Sequence, residues 1–462
     1  MIDLTKSIKW DELVPNNLET ENPIYLFEFA GSIGSGKSDS AGELATILKA
    51  SNIEFVELRE DIISNDTKQA IDDFYSGKSK SPSELERIIC GKRMQMLLDV
   101  FEEHKKRDDK PTVIVSDRAV IEDIRFIKSL IGRTGDNNEV CKLNNIISNI
   151  QKFANAVDDV TSAVMHMIYY LDCDIPTALK RIEKRGRPNE KQIDAVLLRS
   201  LTTPADNCVC RNVVKIDNSE ISARNVATIA AVDLLSKILD DTPKILVSFY
   251  GVPGCGKTFA VKYARKMFGE DSNFWKEHCG MVIDDSDEDY IKEVQRKVYE
   301  DDIRKLTPDE IQKFIDDRRI KQFREASNCD GIVFTDIGPE TSNVFRHTTA
   351  CKQDFEYRDA LEKQFKNFVN VIIFPRDEDF NVVRNHIKER GRPGEYNWFT
   401  LDRLEEINEA IRRYAVNKVE FHNPTCIVIC VNEYDEESSR RIFEDMMGAL
   451  RNAIIGYAIH NR

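Results

Sequence analysis

No stretch of this 462-residue chain is apolar for long enough to span a bilayer, and the opening MIDLTKSIKWDELVP carries acidic residues and lacks an apolar core of signal-peptide length. These absences lead us to expect a soluble, cytoplasmic protein with no membrane partner. Positive charge is also in deficit: 66 Lys and Arg stand against 80 Asp and Glu, a formal net charge of −14. That balance excludes a broad nucleic-acid-coating surface, which needs a basic face to displace counterions from phosphate. The eleven cysteines are odd in number and scattered, the usage of reduced thiols and not of a disulfide frame. Only Cys208 and Cys210 lie close, and a single intervening residue without a second pair is poor zinc spacing. The seven histidines form no HxxxH-type ligand pair and read as ordinary surface or core residues.

What the chain does possess, it possesses twice. GSIGSGKS at Gly31 to Ser38 and GVPGCGKT at Gly251 to Thr258 both fit the spacing GxxxxGK[ST]. RGRPNE at Arg185 to Glu190 and RGRPGE at Arg390 to Glu395 follow in the same order. Two glycine loops, each trailed by a nearly identical arginine hexapeptide, indicate internal duplication of a whole nucleotide-binding domain. The expected organisation is a loosely held N-terminal arm over 1–22, a first domain over 23–240 and a second over 241–462, joined by the polar DDTP at Asp240 to Pro243. An apolar share of 41% is enough to give each domain a core.

Apolar periodicity supplies a coarse score. Pro23 to Ala30 reads as a strand running into the first glycine loop. SDSAGELATILKA after it has helical spacing, with Leu44, Ile47 and Leu48 on one face. Ile53–Leu58, Thr112–Ser116, Met165–Leu171 and Val213–Ile216 read as further strands, and Ser83–His104, Thr177–Arg185 and Ala223–Leu239 as helices. The second half repeats the pattern with strands at Lys244–Tyr250, Met281–Ile283, Gly331–Thr335, Val371–Phe374 and Thr425–Val431, and a helix at Val383–Arg390. Charge-rich tracts at 287–305 and 308–326 read as solvated helices packed on the sheet. Strands alternating with helices predict an α/β fold: two tandem P-loop domains, each a parallel sheet flanked by helices.

The chemistry follows from where these motifs fall. In the first loop Gly31, Gly34, Ser35 and Gly36 let backbone N–H groups turn toward a polyphosphate. Lys37 reaches the outer phosphates, and the Ser38 hydroxyl is a ligand for magnesium. Carboxyl ends of parallel strands open onto the ligand crevice, so Glu60 and Asp61 of LRED, after the second strand, face substrate unless they are solvated turn acids. A carboxylate at that place accepts a proton from an attacking hydroxyl. Asp117 and Arg118, at the end of TVIVS, suit a metal and a substrate hydroxyl or transferred charge, with a surface ion pair as the competing reading. Arg181, Lys184, Arg185 and Arg187 concentrate basic charge in an acidic protein, and guanidinium forks suit phosphate.

Taken in order, GSIGSGKS, LRED, SDRAVIEDIRF and RIEKRGRPNE resemble the deoxynucleoside kinase family across residues 23 to 240. The resemblance implies a 5′-kinase of deoxynucleosides with ATP and Mg2+ as cofactors, whose partners are a nucleoside and a nucleoside triphosphate donor. It casts Glu60 as the base that takes the 5′-hydroxyl proton, Arg118 as the arginine beside that hydroxyl, and Asp117 as the acid near magnesium. Arg185 and Arg187 resemble the lid arginines, with Arg181 a further helper; Glu190 resembles the lid acid that contacts the sugar, and Tyr75 a sugar-binding tyrosine. The sequence departs from the family at Ala119, where a serine is usual. It departs again at the base-reading glutamine, where Cys90 stands and Gln95 is off register, so base preference is not given.

The second copy keeps Gly251, Gly254, Gly256, Lys257 and Thr258 for a polyphosphate, and Arg390, Arg392 and Glu395 in its hexapeptide. It has Ile337 in place of Arg118, leaving Asp336 alone, and no glutamate in register with Glu60; Asp284, Asp285 and Asp287 are the nearby acids. The expectation is nucleotide binding with weak or altered chemistry, or structural pairing of the two halves as a pseudo-dimer within the chain or of two chains as a homo-oligomer. Two rivals stand beside a nucleoside kinase: a nucleoside monophosphate kinase, whose acceptor is already a phosphate, and a nucleotide-sensing or structural protein built from degenerate kinase domains.

Overall fold

The computed structural model describes residues 2–14, 23–59, 69–71, 73–74, 81–106, 111–159, 164–187, 190, 193–201, 212–219, 221–238, 245–267, 279–283, 307, 310, 313, 316–318, 320–322, 324, 331–336, 338, 341, 344, 367–375, 379–392, 394–413, 426–431 and 436–460. The chain divides into two compact units between Leu234 and Leu235.

In the first unit, IYLFEFAG and TVIVS are apolar or β-branched along nearly their whole length and lack the alternation of a half-exposed strand. Both are buried at every position, as parallel strands covered on two faces must be. They form β1 (Ile24–Gly31) and β3 (Thr112–Ser116) and join β2 (Val56–Leu58), β4 (Val164–Asp172) and β5 (Val213–Asp217) in a parallel sheet of order β2-β3-β1-β4-β5. β1 is central, and the chain winds first to one side of it and later to the other. Its carboxyl end is therefore a topological switch point, where ligands bind in open α/β sheets.

Parallel neighbours need crossovers, and helices supply them: α2 (Lys37–Ala50), α3 (Pro82–His104), α4 (Asp123–Ile131), α5 (Asn137–Asp159), α6 (Ile175–Arg185) and α7 (Ala195–Leu201), with α1 (Trp10–Leu13) before the first strand and α8 (Ala223–Ile238) after the fifth. Local signals set several ends. Ser81 caps α3 by accepting from the Glu84 N–H at 3.3 Å, with Pro82 at the first turn. Asp174 caps α6 through the Thr177 N–H at 2.8 Å, and Gly186 ends that helix in the left-handed region. α5 has no counterpart in the expected elements. Its asparagine-rich sequence is a poor helix former, yet Leu143, Ile146, Ile150, Phe153 and Val157 form one buried stripe at 3–4 spacing.

The N-terminal segment corrects the sequence reading. The expected loosely held arm is, over residues 2–14, part of the core: Leu4, Trp10 and Val14 are buried among Phe101, Ile150 and Phe153. The Trp10 indole donates to Asn149 Oδ1 at 3.2 Å, and Asn149 Nδ2 donates to the Leu4 and Lys6 carbonyls, each at 2.8 Å. Burial of each large apolar side chain contributes about 1.5–3 kcal/mol, which outweighs the polar character of the intervening residues.

The second unit repeats the sheet. β6 (Ile245–Tyr250), β7 (Cys279–Ile283), β8 (Ile332–Thr335), β9 (Asn367–Pro375) and β10 (Cys426–Val431) are parallel in the order β10-β9-β6-β8-β7, with β6 central as β1 is in the first. Its described helices are α9 (Lys257–Met267), α10 (Phe380–Arg390), α11 (Glu395–Trp398), α12 (Leu401–Ile411) and α13 (Glu436–His460). The tract 287–305 and the joint Asp240 to Pro243 lie outside the described residues, and 308–326 is described only in part. Among the described residues no helix is long and apolar enough to cross a membrane. The described free thiols are Cys90, Cys173 and Cys255, which are buried, and Cys141 and Cys430, which are exposed.

Candidate functional site

The turn between β1 and α2 is built for close approach of its backbone to a ligand. Gly34 has φ of +83°, and a Cβ there would lie 2.7 Å from the Ala178 carbonyl of α6, so glycine is required twice over. Gly36 caps α2 in the left-handed region, leaving the N-terminal N–H groups of the helix as an anion site. Lys37 is buried to 7% exposure, and an ammonium that deep has to be paired. It donates to the Gly31 carbonyl at 2.7 Å and the Ser32 carbonyl at 2.9 Å, and it lies 3.1 Å from Glu122 Oε1. Asn218, just past β5, donates to the Ser35 carbonyl, and Arg181 of α6 donates to the Asn218 carbonyl at 2.8 Å. Arg181, read from the sequence as a helper of the lid, thus braces the loop from behind.

Ser38 Oγ donates to Asp117 Oδ2 at 3.1 Å. Asp117 is buried, and its N–H donates to the Leu58 carbonyl at 3.1 Å, fixing it at the end of β3. A hydroxyl beside a carboxylate, both hard oxygen donors at the mouth of a phosphate loop, fits Mg2+, which takes one or two protein carboxylates and completes its shell with phosphate and water. The hydroxyls of Ser32 and Ser35 are buried without a hydrogen-bond partner among the described residues, as suits a cradle whose polar groups serve a ligand. Ser38 and Asp117 would hold the metal, and the loop with Lys37 would hold the triphosphate.

Beside this loop lies an open crevice of about 330 Å3, lined by Arg59, Arg93, Asp117 and Arg118 and walled by Met96 and Leu97. Arg118 thus lines the same crevice as Asp117. Glu60, Asp61 and Tyr75 lie outside the described residues; Arg59, the residue preceding Glu60, lines the crevice. Under it is a buried polar cluster. Arg93 pairs with Asp123, and the Cys90 thiol donates to Asp123 Oδ2 at 3.3 Å and to Glu86 Oε2 at 3.6 Å. Burial, reinforced by the Asp123 charge and opposed by Arg93, pushes the Glu86 carboxyl up to about 8, and burial likewise raises the Cys90 thiol. Cys90 is therefore a member of this network and not a base-reading amide in its own right.

In the arginine hexapeptide, Arg185 donates from Nε to Glu190 Oε2 at 2.9 Å and from Nη2 to Oε1 at 2.6 Å, with Arg187 Nη1 at 3.7 Å from Oε1. The anion that so basic a segment calls for is supplied in part by its own glutamate. The second unit carries the same constructions. Lys257 donates to the Gly251 and Val252 carbonyls at 2.9 and 3.0 Å, and Thr258 Oγ1 donates to Asp336 Oδ2. Gly254 and Gly256 are left-handed like their counterparts. Arg390 donates to both oxygens of the buried Glu395, with Arg392 at 4.0 Å. Cys255 is buried within the loop, and burial raises its thiol. Ile337, Asp284, Asp285 and Asp287 lie outside the described residues.

Sequence reasoning missed Glu122, Asn218 and the Glu86–Arg93–Asp123 cluster. Glu122 sits inside the quoted SDRAVIEDIRF, where the eye goes to Asp117 and Arg118. Asn218 had one usable signal, its place at the carboxyl end of a strand. The cluster had none, because only packing brings α3 against the start of α4.

Residues 27–232 match the family model described as deoxynucleoside kinase. A deoxyguanosine kinase of Bacillus subtilis (strain 168) is 28% identical over 171 residues, 37% of this chain and 72% of that protein. Among solved structures, the chain is similar to deoxyadenosine kinase from M. mycoides with bound dATP at 18% identity, covering 45% of this chain and 98% of that one with a TM-score of 0.33. It is also similar to NadR protein in complex with NR at 16% identity, covering 94% of this chain and 96% of that one with a TM-score of 0.29.

Proposed function

From the premise that residues 27–232 belong to the deoxynucleoside kinase family, phosphotransferases that use ATP and Mg2+, we propose that the first unit moves the γ-phosphoryl group of ATP onto the 5′-hydroxyl of a (deoxy)nucleoside. The observation that carries this reading is the pairing of Ser38 with Asp117 at 3.1 Å at the edge of a crevice that Arg118 also lines. A metal-ready oxygen pair, a phosphate loop and a guanidinium thereby share one strand-end surface. Such transfer is governed by positioning and by charge stabilisation. Glu60 is assigned the proton of the acceptor hydroxyl, Arg118 the hydroxyl itself, Tyr75 and Glu190 the sugar, and Arg185 and Arg187 the transferred charge.

A nucleoside monophosphate kinase is the second reading, because three arginines line the crevice. Two of them have carboxylate partners, Arg59 with Glu57 and Arg93 with Asp123. That pairing cancels the surplus positive charge a phosphate acceptor needs and favours the hydroxyl. For the second unit we propose nucleotide binding without full chemistry, or a structural role. The matching sheet order and the Thr258–Asp336 contact support a bound nucleotide, while Ile337 in place of Arg118 removes a group aimed at the acceptor.

The test is phosphate transfer from ATP with Mg2+ to a panel of nucleosides and nucleoside monophosphates. Turnover of nucleosides supports the proposal; turnover of monophosphates alone replaces it with the second reading. Glu60→Gln lowers the chemical step by about 10²-fold or more if Glu60 is the general base, and unchanged turnover removes that role.

A further inference from the structure

An ammonium has three N–H donors, and Lys37 faces two loop carbonyls and one carboxylate. The carbonyls of Gly31 and Ser32 belong to the loop itself and are held by its fold. The third partner, Glu122 Oε1 at 3.1 Å, comes from the 3-10 turn Val120–Glu122 that follows Asp117 and Arg118. Both side chains are largely buried, at 7% and 14% exposure, so solvent screens their charges weakly. The other carboxylate oxygen, Glu122 Oε2, is buried and accepts no hydrogen bond among the described residues. A negative group therefore sits where the outer phosphates of a nucleotide, also negative, have to meet Lys37.

Resting on the reading of this loop as the ATP site, we infer that Glu122 makes nucleotide binding conditional on magnesium. A metal-free polyphosphate competes with a fixed, like-charged carboxylate for the same lysine, and weak screening makes that repulsion strong. A divalent cation beside Ser38 and Asp117 offsets it, and the second oxygen of Glu122 is an acceptor for that cation or its water. The second unit provides an internal contrast. Thr341 stands five residues after Asp336, as Glu122 does after Asp117, and Lys257 has no carboxylate partner among the described residues.

The experiment is calorimetric titration of the full chain carrying Lys257→Ala, which confines the readout to the first loop, with ATP in EDTA and with ATP in excess Mg2+. The quantity read is the ratio of the two dissociation constants. With Glu122 intact, Mg2+ tightens binding at least 10-fold. Glu122→Gln tightens the metal-free constant and cuts the ratio at least 10-fold, while Glu122→Asp keeps most of it. Glu122→Thr, which installs the residue of the second unit, gives the same result as Gln and serves if the amide variant does not fold. A ratio unchanged in both Gln and Thr variants overturns the inference, even if both constants weaken together, because that is what a merely structural support of Lys37 predicts. Absence of any ATP binding in the parent chain overturns the loop assignment itself and the inference with it.

Discussion

Arg185 and Glu190 hold each other through two parallel hydrogen bonds across a helix end closed by Gly186, at 2.9 and 2.6 Å. The pair is partly exposed, at 36% and 14%, and such surface pairs contribute about 0–1 kcal/mol to stability. The role proposed for its arginine is to meet the transferred charge. Arg185→Ala is expected to leave the thermal midpoint nearly unchanged while lowering phosphoryl transfer by about 10²–10³-fold, the usual cost of losing one charge-stabilising donor. Steady-state rates beside a melting curve check this. A large loss of stability with retained rate would make the arginine a structural clamp.

The two phosphate-loop lysines separate the halves. Lys37→Ala is expected to abolish transfer, and Lys257→Ala to spare most of it while removing nucleotide bound to the second unit. Each outcome is read from turnover together with nucleotide stoichiometry by equilibrium dialysis. Intact turnover in Lys37→Ala with loss in Lys257→Ala would place the chemistry in the second unit and overturn the proposal.

Glu86 ties stability to pH. Its folded carboxyl keeps a proton up to about pH 8, against an ordinary value of 4.5, because it is buried beside Asp123. Between those values the folded state holds the extra proton. The stability contribution is therefore complete below pH 4.5 and drains away as pH rises toward 8. Glu86→Gln, permanently neutral, is expected to flatten the stability profile of the first unit between pH 5 and 8. Urea denaturation at a series of pH values measures it, and an equally steep profile in the variant would assign the dependence to other groups.

Trp10 tests the N-terminal segment. Trp10→Ala removes a buried indole packed edge-to-face on Phe153 at 5.1 Å and bonded to Asn149. A loss of about 3–5 kcal/mol is expected, as for other aromatic truncations in cores. Denaturant unfolding reports it, and a change under 1 kcal/mol would restore the picture of a detached arm.

β1 and β3 were legible because they are buried on both faces and so read as unbroken apolar runs. Thr112–Ser116 matched without adjustment, and Ile24–Gly31 ran only one residue beyond its expected end. α5 was not legible, because its asparagines hide a sparse apolar stripe that counts only once a core exists to receive it. The same holds for Leu4 and Trp10.

The amino-acid order by itself determined the phosphate loops, the strand–loop–helix frame around them and the arginine hexapeptides, since glycine freedom, lysine reach and strand apolarity act over a few residues. Only the tertiary structure decided that Glu122 meets Lys37, that Asn218 and Arg181 brace the loop, and that Arg93 and Asp123 pair beneath the crevice. Those partners are brought together by sheet register and helix packing, and the electrostatics that link them depend on distance and burial, which no local pattern encodes.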